Sequence, residues 1–384
     1  MERFDAHLCL VSDQAVPNLL PVLDDGSRPR HVVLAASREM TQKATWLQQV
    51  IKRRCRGTSV EILELGDAYD YDALTDCFID FLDQHRDRQI ALNVTGGTKM
   101  MAVAAQEVFR ADGRPVFYVN VDSDAVIHVG QKGRSAPLRS AMKIRDLLEV
   151  QGYVVEQADH PALTAERRDL CARLIDHVKT DGIGLGELNR LAASDAARSS
   201  RSVTLSERDL DSRSLARVVD LFADGKVLHR QRDAIVFADE AARRFVNGGW
   251  LEAHVHQVMQ NLRGRHPDIT DVAVNVRFKH PDGLTQNELD VACLIRNRLH
   301  IVECKTANLA QAGAGGDDKA TEAIYKMEAM LKIGGLRTRG MIADYRGALS
   351  KIAANRDRAK AAGIAVAAAE QLRDLEGFVR RTWL

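Results

Sequence analysis

Asn287-Glu-Leu-Asp290-Val-Ala-Cys-Leu-Ile295, the turn Arg296-Asn297-Arg298, then Leu299-His-Ile-Val-Glu303-Cys-Lys305-Thr306 is the stretch on which the fold of the C-terminal third depends. β-Branched and aliphatic residues fill two short runs on either side of the turn, the pattern of a strand pair. Side chains alternate across a strand, so Glu303 and Lys305, two apart, share a face. If the hairpin pairs as its spacing predicts, Asp290 lies beside them, and two carboxylates and an ammonium converge on a small patch. Such a group suits phosphodiester hydrolysis, in which carboxylate oxygens hold a hard divalent ion and a lysine orients water or stabilises developing charge. The plain alternative for the same residues is an ion pair on a solvated strand face.

Upstream, Asn247-Gly-Gly-Trp-Leu-Glu252 opens a helix whose Leu251, Val255, Val258, Met259 and Leu262 form one apolar stripe, with Glu252 beside it. Glu252 is a candidate fourth member of the group, or a first-turn acid favoured by the helix dipole. His254 and His256 face apart at a spacing of two, cannot chelate one ion together, and read as surface or core histidines. Asp271 to Phe278 alternates as a strand. Beyond Thr306, the Gly- and Ala-rich run from Ala310 to Gly316 reads as a flexible loop. A helix follows from Asp318 to Lys332, with Lys326 and Lys332 on its polar side toward solvent or a phosphate. Strand Gly340–Ala343, helix Leu349–Ala361, strand Ile364–Ala367 and a last helix complete a small α/β layer.

The set Glu252, Asp290, Glu303 and Lys305 resembles the active-site signature of the PD-(D/E)xK nuclease superfamily. The resemblance implies that Asp290 and Glu303, with Glu252, hold Mn²⁺ or Mg²⁺ and that Lys305 assists the attacking water.

The first 140 residues alternate strands (from His7, His31, Ser59, Gln89 and Pro115) with helices (after Pro17, at Thr41–Arg54, Tyr71–His85 and from Lys99), which predicts a parallel, doubly wound sheet. Ligands bind such sheets at the carboxyl ends of the strands. The loop Asn93-Val-Thr95-Gly96-Gly97-Thr98-Lys99 leaves a strand and enters a helix, so its backbone N–H groups, Thr and Lys suit phosphate. It is not a P-loop. Thr98 also reads as a plain helix N-cap. Ser12, Asp13, Gln14 and Asn18 leave the first strand, and Ser37 and Met40 the second. Together these positions resemble the ligand edge of a CARF domain, the Rossmann-like sensor of cyclic oligoadenylates. That resemblance implies a homodimer with one ligand across the two-fold axis.

Between 141 and 245 the periodicity predicts helices at Met142–Gly152, Arg167–Val178, Leu185–Ala193 and Ser214–Ala223. A short hairpin follows, Lys226–His229 with Ala234–Phe237. This resembles a winged-helix-like connector, and the Ser-, Ala- and Arg-rich stretch Asp195–Ser206 reads as a mobile loop. No helix there carries a dense basic face, which favours a spacer over a DNA reader.

The net charge of +1 excludes a protein held to nucleic acid by bulk charge, although from residue 246 onward 20 Lys and Arg face 16 Asp and Glu. The six cysteines form no C-x-x-C pair and no metal-ligand spacing, and the start lacks a signal-peptide pattern. No apolar run is long enough to span a bilayer. Cytoplasmic, membrane-free placement is the expectation.

The whole chain therefore reads as α/β, with a Rossmann-like CARF domain (1–140), a helical winged-helix-like connector (141–245) and a restriction-endonuclease-like domain (246–384). In that order it resembles the ancillary nucleases of type III CRISPR defence. The resemblance implies a homodimer that binds cyclic tetra-adenylate and then nicks or degrades DNA or cleaves single-stranded RNA. Two other readings compete: a ligand-sensing DNA-binding regulator with a non-catalytic C-terminal domain, and a constitutive nuclease, which leaves the Thr95–Lys99 loop without a purpose.

Overall fold

The structure, a computed structural model, describes residues 3–177, 182–307, 309, 319–335 and 337–384. The chain forms two compact units, one of residues up to 156 with 278–287, the other of 157–277 with 288–384.

In the first unit, β1 (Ala6–Leu10), α1 (Val16–Leu23), β2 (His31–Ala36), α2 (Thr41–Arg54), β3 (Ser59–Glu64), α3 (Tyr71–Gln84), β4 (Ile90–Asn93), α4 (Lys99–Ala111) and β5 (Val116–Asn120) alternate as expected. The strands lie in the order β3-β2-β1-β4-β5, all parallel. β1 is buried throughout, as a strand covered on both faces must be. Its Leu8 and Leu10 join Phe78, Leu92, Phe109 and Val116 in one core. Two strands not foreseen, β6 (Ala125–His128) and β7 (Ser135–Pro137), extend the sheet antiparallel. They are four and three residues long, too short a pattern to stand out. Helix α5 (Ile144–Glu149) brings Asp146, fully buried, to Arg53 and Arg54 of α2 and to the Lys143 N–H.

The second unit begins with helices α6 (Ala165–Asp176), α7 (Gly182–Ala192) and α8 (Asp195–Ser200). β9 (Ser202–Thr204), α9 (Glu207–Asp211), α10 (Arg213–Asp224), β10 (Leu228–Gln231), β11 (Ala234–Phe237) and α11 (Glu240–Arg244) follow. The three strands form an antiparallel sheet, β10-β11-β9, in which β10 and β11 are the expected hairpin and β9 is an addition to it. The expected loop at Asp195–Ser206 is instead α8 and β9. Ser194 caps α8 by accepting from the Ala197 N–H, and Arg201, at φ 58°, ends it, so residues that read as loop formers serve as caps.

The chain continues through α12 (Trp250–Arg263), β12 (Ile269–Lys279), β13 (Gln286–Ile295), β14 (Arg298–Lys305), α13 (Lys319–Leu331), β15 (Arg339–Asp344), α14 (Ala348–Lys351), α15 (Ala353–Ala361), β16 (Ile364–Ala368), α16 (Ala369–Arg373) and α17 (Leu375–Trp383). With β8 (Val154–Asp159) at its edge, the sheet runs β16-β15-β14-β13-β12-β8. The helix expected over Leu349–Ala361 divides at Ile352, which is extended at φ −95° and ψ 114°. The Ala310–Gly316 loop lies outside the described residues.

One core joins the helical segment of the second unit to one face of its sheet. Leu170, Leu188, Val219 and Phe222 from the helical segment pack in the same cluster as Trp250, Val255, Val291 and Tyr345. The Tyr345 hydroxyl donates to the Leu174 carbonyl at 2.7 Å, and its ring meets Trp250 edge-on at 5.0 Å. Among the described residues no disulfide joins the cysteines, and no helix is long and apolar enough to cross a membrane.

Candidate active site

The β13–β14 hairpin is closed by Arg296 and Asn297, both at positive φ (49° and 55°), the two-residue turn whose twist matches its strands. Ile295 pairs with Arg298 and Val291 with Val302. One step further along that register, Asp290 stands opposite Glu303. Asp290 Oδ2 accepts from the Cys304 N–H at 2.7 Å, which ties it across the ladder. Glu303, 1% exposed, receives two ammonium groups on one oxygen: Lys305 Nζ and Lys326 Nζ each donate to Oε1 at 2.6 Å. Its other oxygen, Oε2, is buried with no partner among the described residues.

Glu252 reaches the same place from α12. A kink precedes it, in which Gly248 takes φ 114° and Asn247 leaves helical geometry. A Cβ on Gly248 would sit 3.0 Å from the Thr306 hydroxyl, so the Gly-Gly pair lets the helix start close to the end of β14. Burial, then the charges of Asp290, Glu288 and Glu303, push the Glu252 carboxyl up to about 7 against the pull of Lys305. Burial and the Glu303 charge push Asp290 up to about 6. Burial would raise Glu303 as well, but Lys305 and Lys326 outweigh it and hold that carboxylate down. Lys305, drawn down by burial, is kept above its usual value by Glu303 and Asp290. Burial and the neighbouring carboxylates push the Cys304 thiol far up, so it stays protonated. His254 and His256 are lowered to about 4 by burial and remain neutral; Gln260 bonds His256 at 3.3 Å. A cleft of about 1010 Å³ borders Glu252 and Glu288, with Arg167, Arg244 and Arg277 on its walls.

In the first unit the candidate ligand residues cluster at the carboxyl ends of β1, β2 and β4, adjacent in the sheet. Gly96 is buried with no room for a side chain, since a Cβ would lie 2.1 Å from the Leu10 carbonyl oxygen, and Gly97 takes φ 76°. Beneath the loop runs a chain of amides. Asn18 donates to the Leu10 carbonyl at 2.8 Å, and Asn93 donates to Asn18 Oδ1 at 3.0 Å. Asn93 Oδ1 in turn accepts from the Thr95 hydroxyl at 2.6 Å. Thr98 caps α4 by accepting from the Met101 N–H. Gln14 and Lys99 are exposed, Ser12 and Met40 half-buried, and Ser37 donates to Glu39 at 2.9 Å. Asp13 pairs with Lys43, and Asn18 is buried beneath the rim.

Residues 6–151 match the CARF domain of Card1, and residues 239–384 match the Card1-like endonuclease domain. The chain is a CARF-domain endonuclease of the Card1-like family. No curated protein matches it in sequence. Among solved structures, this CARF endonuclease resembles protein VC1899 from Vibrio cholerae at 25% identity and a TM-score of 0.87, covering 98% of this chain and 97% of that one. Can2 from Sulfobacillus thermosulfidooxidans, solved with cyclic tetra-adenylate, is 26% identical with a TM-score of 0.75 over 98% and 97% of the two chains. A type III CRISPR defence DNA nuclease activated by cyclic oligoadenylate shares the fold at 19% identity and a TM-score of 0.55, over 88% of this chain and 45% of that one.

The candidate site gathers Glu252, Asp290, Glu303 and Lys305 into one electrostatic group and adds Glu288 and Lys326, the latter expected to face solvent or a phosphate rather than to join this group. Lys326 carried a signal, a cation at the polar edge of its helix, but its reach to Glu303 depends on where α13 docks. Among the described residues no three His, Cys, Asp or Glu form a ready metal cage. A small hard cation needs no such cage, because it keeps several waters and takes one or two carboxylates plus a substrate phosphate. Two adjacent carboxylates, one with an unpartnered buried oxygen, fit that kind of ion.

Proposed function

We propose that this endonuclease is switched on by cyclic tetra-adenylate and hydrolyses phosphodiester bonds of DNA or RNA with Mn²⁺ or Mg²⁺, as a homodimer. Asp290 and Glu303 would hold the ion, with Glu252 beside them. The bound ion would activate water and offset charge on the phosphate. The observation that carries this reading is Glu303: two lysines donate to Oε1, and Oε2 is buried without a partner among the described residues, placed to ligate a cation. Lys305, charged in the folded state, stabilises the negative charge that grows on the phosphate and orients the attacking water. The Cys304 N–H holds Asp290 in place, and Glu252, poised near neutrality, can exchange a proton at the site's edge.

In the sensor, assigned to about 1–140, the loop Thr95, Gly96, Gly97, Thr98 and Lys99 takes the ligand phosphates through backbone N–H groups and the α4 N-terminus. Ser12, Asp13, Gln14, Ser37 and Met40 complete the rim, and Asn18 braces it from below. Can2, of the same length and a quarter identical, binds cyclic tetra-adenylate, which supports that ligand class here. A ligand shifts an equilibrium only through contacts that differ between states, so the switch requires the sensor loops to differ in the bound dimer.

The test is cleavage of supercoiled plasmid and of single-stranded RNA in Mn²⁺, with and without cyclic tetra-adenylate, by wild type and Glu303→Gln. Ligand-dependent cutting that the variant lacks is expected. Cutting by Glu303→Gln at the wild-type rate would remove the site assignment, and cutting indifferent to ligand would remove the switch.

A further inference from the structure

We propose that Asn189, on helix α7, is a positioning residue of the endonuclease site: through Val246 and Thr306 it fixes where Glu252 stands relative to Glu303 and Lys305. This rests on the nuclease reading and adds to it a residue that acts through its neighbours. The orientation of the Asn189 amide follows from the groups around it. Its nitrogen donates to the Leu185 carbonyl of its own helix at 3.2 Å and to the Val246 carbonyl at 3.0 Å, and its oxygen accepts from the Thr306 hydroxyl at 2.9 Å. Leu185, Val246 and Thr306 are all buried, so a partner lost here leaves a polar group stranded.

The two outer partners belong to the two elements that bring the acidic residues together. Val246 enters the kink at Asn247 and Gly248 from which the helix of Glu252 starts. Thr306 directly follows Lys305 at the end of β14. A second contact places α7 against the same region: the Lys305 carbonyl accepts from the Tyr345 N–H at 2.9 Å, and a Cβ on Gly186 would sit 2.5 Å from Nη2 of the next residue, Arg346. Glu252, Asp290 and Glu303 form one buried group of like charges, which tends to part the elements that carry them. An amide has both a donor and an acceptor, so one side chain ties a carbonyl on one element to a hydroxyl on the other and opposes that separation. Helix α7 is thus more than a spacer, because it holds the carboxylates in place before an ion arrives.

The experiment uses the full-length protein with cyclic tetra-adenylate and compares wild type with Thr306→Val, Thr306→Ser, Asn189→Ala and the double variant Asn189→Ala with Thr306→Val. Three quantities are read: the metal-free Tm, Mn²⁺ affinity by titration calorimetry without substrate, and single-turnover plasmid nicking over a range of plasmid concentrations. Thr306→Val keeps the shape and deletes the hydroxyl. It is expected to fold, to bind Mn²⁺ about tenfold more weakly and to lower the saturated nicking rate about 10–100-fold, the usual loss when a residue that orients metal ligands is removed. The plasmid concentration for half-maximal rate stays unchanged. Thr306→Ser keeps the hydroxyl and stays near wild type. Asn189→Ala reproduces Thr306→Val, and the double variant is no worse than the worse single one, because both cut the same link. A Thr306→Val protein that loses Tm yet keeps wild-type Mn²⁺ affinity and saturated rate overturns the proposal, as do losses that multiply in the double variant. Wild type that neither binds Mn²⁺ nor nicks plasmid overturns the nuclease reading itself, a distinguishable outcome.

Discussion

Replacing Gly96 with alanine puts the sensor to a sharp test, because the clash it creates is with backbone. The new Cβ would sit 2.1 Å from the Leu10 carbonyl oxygen and 3.1 Å from its carbon, so the loop or the end of β1 must give by about 1 Å. That carbonyl also accepts the Asn18 amide, which supports Asn93, which holds Thr95. Displacing it moves the Thr95–Lys99 loop through three linked hydrogen bonds, none of which involves the candidate active-site residues. Strain of this kind costs about 1–3 kcal/mol of stability. Misplacing one N–H aimed at an anionic ligand costs about 1.5–3 kcal/mol more of binding, roughly ten- to 150-fold in affinity. The assay is the concentration of cyclic tetra-adenylate giving half-maximal plasmid nicking, with the ligand-induced rise in Tm as an independent readout. The expected variant is folded, with half-activation shifted by at least tenfold and saturated cleavage near wild type. Unchanged half-activation in a folded Gly96→Ala protein would refute both the tight-turn reasoning and the placement of the ligand there.

Lys305→Ala should lower single-turnover cleavage about 10²–10³-fold with activator binding intact, the usual loss when one charge stabiliser is removed; cleavage within threefold of wild type would contradict it. Glu252 is raised to about 7, so the metal-free folded state binds more protons than the unfolded chain, and the stability this confers at low pH is lost as pH rises from the ordinary carboxylate range through 7. His254, His256 and His300, held near 4, act oppositely below about 6.5. The carboxylate signature is therefore the Tm difference between Glu252→Gln and wild type in EDTA. That difference should favour the variant more at pH 8 than at pH 6, and a difference independent of pH would count against the assignment. For the same reason protons compete with the ion, and the Mn²⁺ needed for half-maximal cleavage should rise as pH falls below 7; a flat requirement across pH 6–8 would argue against it. Asp146→Ala removes two ion pairs from a buried carboxylate but leaves Arg53 its Glu149 partner and Arg54 the Ala141 carbonyl; it should cost the first unit about 1–3 kcal/mol in urea unfolding, and a loss under about 0.5 kcal/mol would show that the bridges contribute little.

Much of this architecture was legible because period and burial coincide. Helix α2 begins and ends where Thr41 and Arg54 were read, since Ala44, Leu47, Val50 and Ile51 recur at helical spacing. The β13–β14 pair followed from aliphatic runs around a turn, and the alternation that places Glu303 and Lys305 together is a property of any strand. Other features depend on partners far along the chain. Asp195–Ser206 carries loop-forming residues, and only packing decides that they cap a helix and pair a strand. Lys326 lies 23 residues after Glu303, so no local pattern could join them. The kink at Gly248 was hidden because two glycines before a helix look like a simple N-terminus, whereas their use is to admit Thr306.

The core shared by the helical segment and one face of the sheet also bears on how such proteins diversify. The helices of 165–244 and the sheet that carries Asp290 and Glu303 bury one another's apolar side chains, so neither can be exchanged alone without exposing a hydrophobic face. A recombination that transplanted only 239–384 onto another sensor would carry the candidate active-site residues and leave behind the helices packed against one face of their sheet. The segment that keeps this sheet whole begins at β8, and domain shuffling in this architecture should leave its breakpoints upstream of that strand.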